Sequence, residues 1–186
     1  MPTLDHGLGE VLADVLAASH RLAPREIPAL VQEAGRRLGL SRAWVYVADM
    51  QQGELVALPT VEQAQQLADG CAPVLETLPV DTSLAGRAYR TETVQLAAVG
   101  DRGDRVGWLP LVDGVGRLGV LRVAAPALEQ SLVDRCQALA SLTAMILATK
   151  RAYSDVLAQT VRRRTMTLQA ELLWAFVRRG PSEPPR

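Results

Sequence analysis

The chain has 186 residues, and its 20 Lys and Arg balance 20 Asp and Glu for a formal net charge of +0. That length suits one domain with additional helices, and the balance excludes the broad basic field that draws proteins to nucleic acid or anionic lipid. The N-terminal segment carries acidic residues where a signal peptide needs basic ones. No apolar run approaches the roughly 20 residues of a membrane span, so the chain reads as cytoplasmic, with neither membrane nor nucleic acid as a partner.

Leu4, Leu8, Val11, Leu12, Val15 and Leu16 recur at helical spacing and predict an amphipathic first helix ending near Ala23-Pro24, with an apolar stripe that needs covering. A second helix is predicted over residues 25–38, with Ile27, Leu30, Val31, Ala34 and Leu38 on one face and Gly39 as its stop. The run AWVYVA over 43–48 is β-branched and aromatic, and a turn over 49–53 leads back into ELVAL at 54–58, a strand hairpin. Residues 62–73 are polar and rich in Gln and Ala, which predicts a short helix and a loop before strand resumes over 74–80. Asp81-Thr82-Ser83 supplies a cap for a helix over 84–90. Residues 93–97 form a further strand, and 100–107 is a loop loaded with Asp, Arg and Gly.

A last hairpin pairs 106–112 with 117–124 across Asp113-Gly114, residues that type I′ turns favour. From Leu128 to Val177 neither Pro nor Gly interrupts, which predicts one long helix. Its seam of Leu132, Leu139, Leu142, Ile146, Tyr153 and Val156 is heptad-like, and it shifts to Leu157, Val161, Leu168 and Leu172 across Arg162-Arg163-Arg164, a candidate hinge. The tail over 178–186 has no core-forming residue and is expected to be disordered.

Several motifs have ordinary explanations. Gly114-Val115-Gly116-Arg117-Leu118-Gly119 satisfies the spacing of a pyrophosphate loop, yet a strand follows it where that motif must open a helix. His6 and His20 lie on or beside the first helix without a second ligand at metal spacing, so no metal site is expected. Cys71 and Cys136 lie in segments of different character and read as free thiols. Alternation sorts the sheet: Val45, Val47, Leu121 and Val123 suit packing beneath helices, while Trp44, Tyr46, Trp108, Pro110 and Arg122 share the opposite face.

The order of elements, with Pro79-Val80-Asp81 running through Gly86-Arg87-Ala88 to Thr91-Glu92, and with Leu109-Pro110-Leu111 facing Leu118-Gly119-Val120-Leu121, resembles a GAF domain. SHRLAP at 19–24, YVADMQQ at 46–52, KRAYSD at 150–155 and RRRTMTLQAELLWAF at 162–176 resemble the N-terminal GAF and linker region of actinobacterial PPM-type serine/threonine phosphatases. The resemblance implies an α+β fold: a six-stranded antiparallel sheet, terminal helices on one face, a helix and loop layer over a pocket on the other, and a long C-terminal helix. It also implies a dimerisation helix over 1–23, the GAF domain over 24–149, a signalling linker over 150–177 and a tail over 178–186. No phosphatase catalytic domain is expected in this polypeptide.

Under that resemblance Trp44, Tyr46, Leu84, Arg87, Trp108, Pro110 and Arg122 become the ligand-pocket candidates, for a planar or anionic molecule; the alternative is that the aromatics simply fill the cavity. Leu12, Leu139, Leu142, Ile146 and Tyr153 become the dimer and linker seam. The chain contains no Asn, so the Asn-initiated cyclic-nucleotide motif of some GAF domains is absent, and no internal His is available for haem. The reading is a non-catalytic regulatory domain with no cofactor, a homodimer that passes a small-molecule signal to a phosphatase in cis or trans. The rivals are a structural dimerisation module and an enzyme, either a phosphatase fragment or a redox GAF protein using Cys71.

Overall fold

The computed structural model describes residues 3–71, 73–97, 104–114 and 116–151. In chain order these form α1 (Thr3–Ser19), a 3-10 turn (Pro24–Glu26), α2 (Ile27–Arg37), β1 (Arg42–Ala48), β2 (Glu54–Ala57), α3 (Val61–Ala68), β3 (Thr77–Pro79), α4 (Leu84–Thr91), β4 (Gln95–Ala97), β5 (Arg105–Asp113), β6 (Gly116–Ala125) and α5 (Gln130–Arg151). The strands make one antiparallel sheet in the order β3-β2-β1-β6-β5-β4, so the first and last long strands meet at its centre.

Period-two alternation along β1, β5 and β6 splits the core into two layers. Val45, Val47, Leu109, Leu111, Leu121 and Val123 pack with the buried faces of α1, α2 and α5. Tyr46, Val106, Trp108, Val120 and Ala124 turn the other way and pack with Ala85, Ala88 and Tyr89 of α4. The apolar residues of the first layer are all aliphatic apart from Cys136, and each Leu, Ile or Val buried there contributes about 1.5–3 kcal/mol.

The helices explain the first layer. In α2, Ile27, Val31 and Ala34 recur at one face and are buried. In α5, Leu132, Cys136, Leu139, Thr143, Ile146 and Leu147 line the sheet side, and the one hydroxyl among them is satisfied because Thr143 Oγ1 donates to the Leu139 carbonyl at 2.7 Å. Residues Gln130–Lys150 of α5 reach the length and the mean hydropathy, 1.2, of a helix able to cross a membrane. That departs from the expectation that no run would, and the apolar character is accounted for by the face that this helix buries against β5 and β6.

Other expectations shift for local reasons. The first helix stops at Ser19, whose hydroxyl donates to the Leu16 carbonyl at 2.7 Å, and Ala23 is extended (φ −73, ψ 146) as a residue before proline must be. The strand expected over 74–80 shortens to Thr77–Pro79, because its partner β2 is only four residues long. At the hairpin, Asp113 pairs with Gly116, so Asp113 belongs to the ladder rather than to the turn, and Gly114 follows it at φ +59. The heptad seam is an intramolecular one: Leu139 and Ile146 are buried in this chain's own core, so they are unavailable to a dimer partner, and Leu142 packs partly against the same core. α1 also belongs to that core through Val11 and Val15, while Leu12 is half-buried. Tyr153, the helix beyond Arg151, the hinge at 162–164 and the tail at 178–186 lie outside the described residues.

At the sheet centre, a Cβ on Gly119 would collide with the Tyr46 carbonyl oxygen and approach Val47 Cα to 2.8 Å. Gly119→Ala is therefore expected to lower the unfolding free energy by about 3 kcal/mol or more, measured by urea denaturation. A loss below about 0.5 kcal/mol would show that β1 and β6 can separate freely.

Cys136 yields a pH dependence. Burial pushes its thiol up from 9.0 to about 12, with Arg135 pulling weakly the other way. The unfolded thiol ionises near its ordinary value while the folded one does not, so its stabilisation is complete below about pH 9 and is lost as pH rises toward 12. Relative to Cys136→Ala, the wild-type unfolding free energy is expected to fall between pH 9 and 11, approaching about 1.4 kcal/mol per pH unit. Parallel curves for the two proteins would contradict this.

Candidate functional site

Register builds a cluster on the α4 face. Trp44 of β1 and Trp108 of β5 both pair with Arg122 of β6, which lies between them at one level of the sheet. The guanidinium carbon of Arg122 sits 4.6 Å from the Trp44 ring centroid and 5.2 Å from that of Trp108. A cation between two indole faces is held by both ring quadrupoles. Arg42, exposed at the start of β1, approaches the Trp44 centroid at 5.7 Å.

Tyr46 stands one step along the same face, its ring edge-on to Trp108 with centroids 5.7 Å apart and planes at 63°. Its hydroxyl donates to Glu76 Oε2 at 2.7 Å, and Glu76 Oε1 lies 3.6 Å from Arg122 Nη1. Burial, with the hydrogen bond and charge of Glu76 beside it, pushes the Tyr46 phenol far above its ordinary 10.0, while Arg122 opposes the shift. The phenol is thus a fixed donor over the whole physiological range. Arg122 Nε is buried and has no hydrogen-bond partner among the described residues, a costly state for a charged donor.

Glu76 owes its position to the β2 edge, where the Ala57 amide donates to the Glu76 carbonyl at 2.9 Å. α4 forms the lid over the cluster's other side. Ser83 caps it, accepting from the Gly86 amide at 2.9 Å and donating to the Pro79 carbonyl at 2.6 Å. Gly86 itself lies against the Val80 backbone so closely that a Cβ would collide with it, which holds α4 against that segment.

Of the seven pocket candidates, the structure brings together Trp44, Tyr46, Trp108 and Arg122. Leu84 (43% exposed) and Arg87 lie on the outer side of α4, because Ala85, Ala88 and Tyr89 take the buried side. Pro110 lines a shallow groove with Glu92, Val112, Gln137 and Ser141 at the β5 edge. The sequence reading missed Glu76, although an acid in the run VLETLPV was an available signal.

Among the described residues no group of three His, Cys, Asp or Glu forms a metal site. Cys71 is exposed, Cys136 is buried, and they are not bonded to each other.

Tyr46→Phe keeps the ring against Trp108 and removes the hydrogen bond to Glu76. It is expected to cost about 1 kcal/mol in urea denaturation; an unchanged midpoint would show that Glu76 contributes nothing at that hydroxyl.

No protein-family model matches the chain, and neither does any curated protein. Solved structures do match. The GAF domain of a phosphoenolpyruvate-protein phosphotransferase from Coxiella burnetii aligns with a TM-score of 0.58 at 15% identity, covering 79% of this chain and 96% of that one. The A. aeolicus nlh2 GAF domain in an inactive state aligns with a TM-score of 0.59 at 10% identity, covering 79% and 99%. The free methionine-R-sulfoxide reductase from Neisseria meningitidis in complex with its substrate aligns with a TM-score of 0.57 at 14% identity, covering 79% and 92%. The six-stranded antiparallel sheet, with three helices beneath it and α4 above, is a GAF fold of the α+β class.

Proposed function

We propose that this chain is a sensory, non-catalytic GAF domain that binds a small molecule on the Trp44–Arg122–Trp108 face and relays occupancy through α5. The observation that carries the reading is Arg122: a guanidinium between two indoles, with a buried Nε donating to nothing among the described residues. Structural cores seldom leave such a donor unsatisfied, whereas ligand sites use them. The solved neighbours include a methyl-accepting chemotaxis protein, which favours a signalling role.

The output is a PPM-type serine/threonine phosphatase in cis or trans, on the strength of the sequence resemblance at 150–155 and 162–176. The protein acts in the cytoplasm as a homodimer, joined through exposed parts of α1 and α5 such as Leu16 (44% exposed) and Met145 (51%), which border one groove. One neighbour is a sulfoxide reductase. A dithiol mechanism here has little support, since the chain's second cysteine lies buried beneath the sheet.

A second reading, a ligand-free structural module, draws on the fact that Tyr46 is fully buried and Trp108 nearly so, which leaves their side chains filling part of the face. Thermal-shift screening against metabolite pools separates the two. A sensor is expected to gain about 2–4 °C, the shift for roughly 1 kcal/mol in a domain of this size, with at least one pool, and Arg122→Leu is expected to abolish the gain. No shift with any pool would overturn the sensory reading in favour of the structural one.

A further inference from the structure

Glu76 occupies the part of the site where an anion would sit. Its Oε2 accepts from the one phenol of the cluster, and its Oε1 faces Arg122. The grip is uneven, because the hydrogen bond to Tyr46 is 2.7 Å while the closest approach to Arg122 is 3.6 Å, too long for a charge-assisted hydrogen bond. Arg122 is therefore partly neutralised and, among the described residues, still short of a partner at Nε.

The backbone at Glu76 is held, with Leu75 buried and the Ala57 amide on the Glu76 carbonyl, while the side chains beside it face outward: residues 74–76 join no strand, and Val74 is 91% exposed. The Glu76 side chain is about half exposed, so its carboxylate can swing into water at small cost, and water would solvate it well.

We propose that Glu76 is an internal competitor, and that the ligand is a small, flat monocarboxylate whose carboxylate takes the place of the Glu76 carboxylate at Tyr46 and Arg122. This rests on the reading that the face binds a small molecule. With Glu76 displaced, the centre of the site holds one guanidinium and one neutral phenol, which matches a single negative charge. The indole planes on either side of Arg122 favour a flat ligand body stacking beside them. Exchange of one carboxylate for another keeps the buried charge balanced in both states and turns the Glu76 side chain into water only when ligand is present, which is what a sensor requires of its occupied state.

The test compares wild type with Glu76→Gln, an exposed near-isosteric change whose fold is checked by circular dichroism. Benzoate, benzyl alcohol and inorganic phosphate serve as probes, followed on the indole N–H signals of Trp44 and Trp108. Benzoate is expected to bind Glu76→Gln roughly tenfold or more tighter than wild type, because the competing carboxylate is gone. Benzyl alcohol is expected to bind both proteins equally, and phosphate more weakly than benzoate. Equal benzoate affinity in the two proteins, absence of benzoate binding in both, or the same gain for benzyl alcohol would overturn the exchange. Tighter phosphate binding would overturn the monocarboxylate assignment. None of these outcomes touches the sensory reading itself, which stands or falls on the metabolite screen and Arg122→Leu.

Discussion

The register of β6 is the constraint on which the rest depends. This strand pairs with β1 on one side and β5 on the other along nearly its whole length. Because side chains alternate with a period of two, one register assigns the residues of the three strands to a layer up to the irregularity between Leu111 and Val112, and a slip by one would exchange the layers. Gly119 helps hold that register, since only a residue without Cβ passes the Tyr46 carbonyl at that point. The same pairing sets Trp44, Arg122 and Trp108 abreast, so the site is a by-product of the sheet's own alignment.

The two layers differ in chemistry. Beneath the sheet, α1, α2 and α5 bury an aliphatic core in which the exceptional groups, Thr143 and Cys136, are either hydrogen-bonded within the helix or held neutral by burial. Above it, the core mixes aromatics with an ion pair, and Arg122 Nε has no hydrogen-bond partner among the described residues. The lower layer is built for stability and the upper one accepts an imperfect balance, a pattern proteins show where function competes with packing. α4 is fixed firmly by the Ser83 cap and the Gly86 contact, which leaves the half-exposed side chain of Glu76 as the less constrained part of the wall.

Much of this was legible in the sequence because local patterns were strong. The AWVYVA run, the final hairpin, the Ser83 cap and the two-face alternation all appear where they were expected. What failed needed tertiary information. A heptad-like seam at Leu132, Leu139 and Ile146 reads the same whether the partner is another helix or a sheet, and here the sheet is the partner. Leu84 and Arg87 are pocket candidates only through the resemblance, but a helix presents only one side inward, and the small residues Ala85 and Ala88 take the close-packed side. Glu76 was hidden because contact between positions 30 apart in sequence leaves no local pattern.

Arg122 is flanked in the chain by Leu121 and Val123, both buried in the layer that α5 covers. Between the cluster and α5 lie only the β6 backbone and the side chains beneath it, with no intervening loop or domain to absorb a disturbance. A tilt of β6 by a fraction of an ångström at Arg122 reaches both sides of the sheet at once, since close-packed side chains have little room to yield.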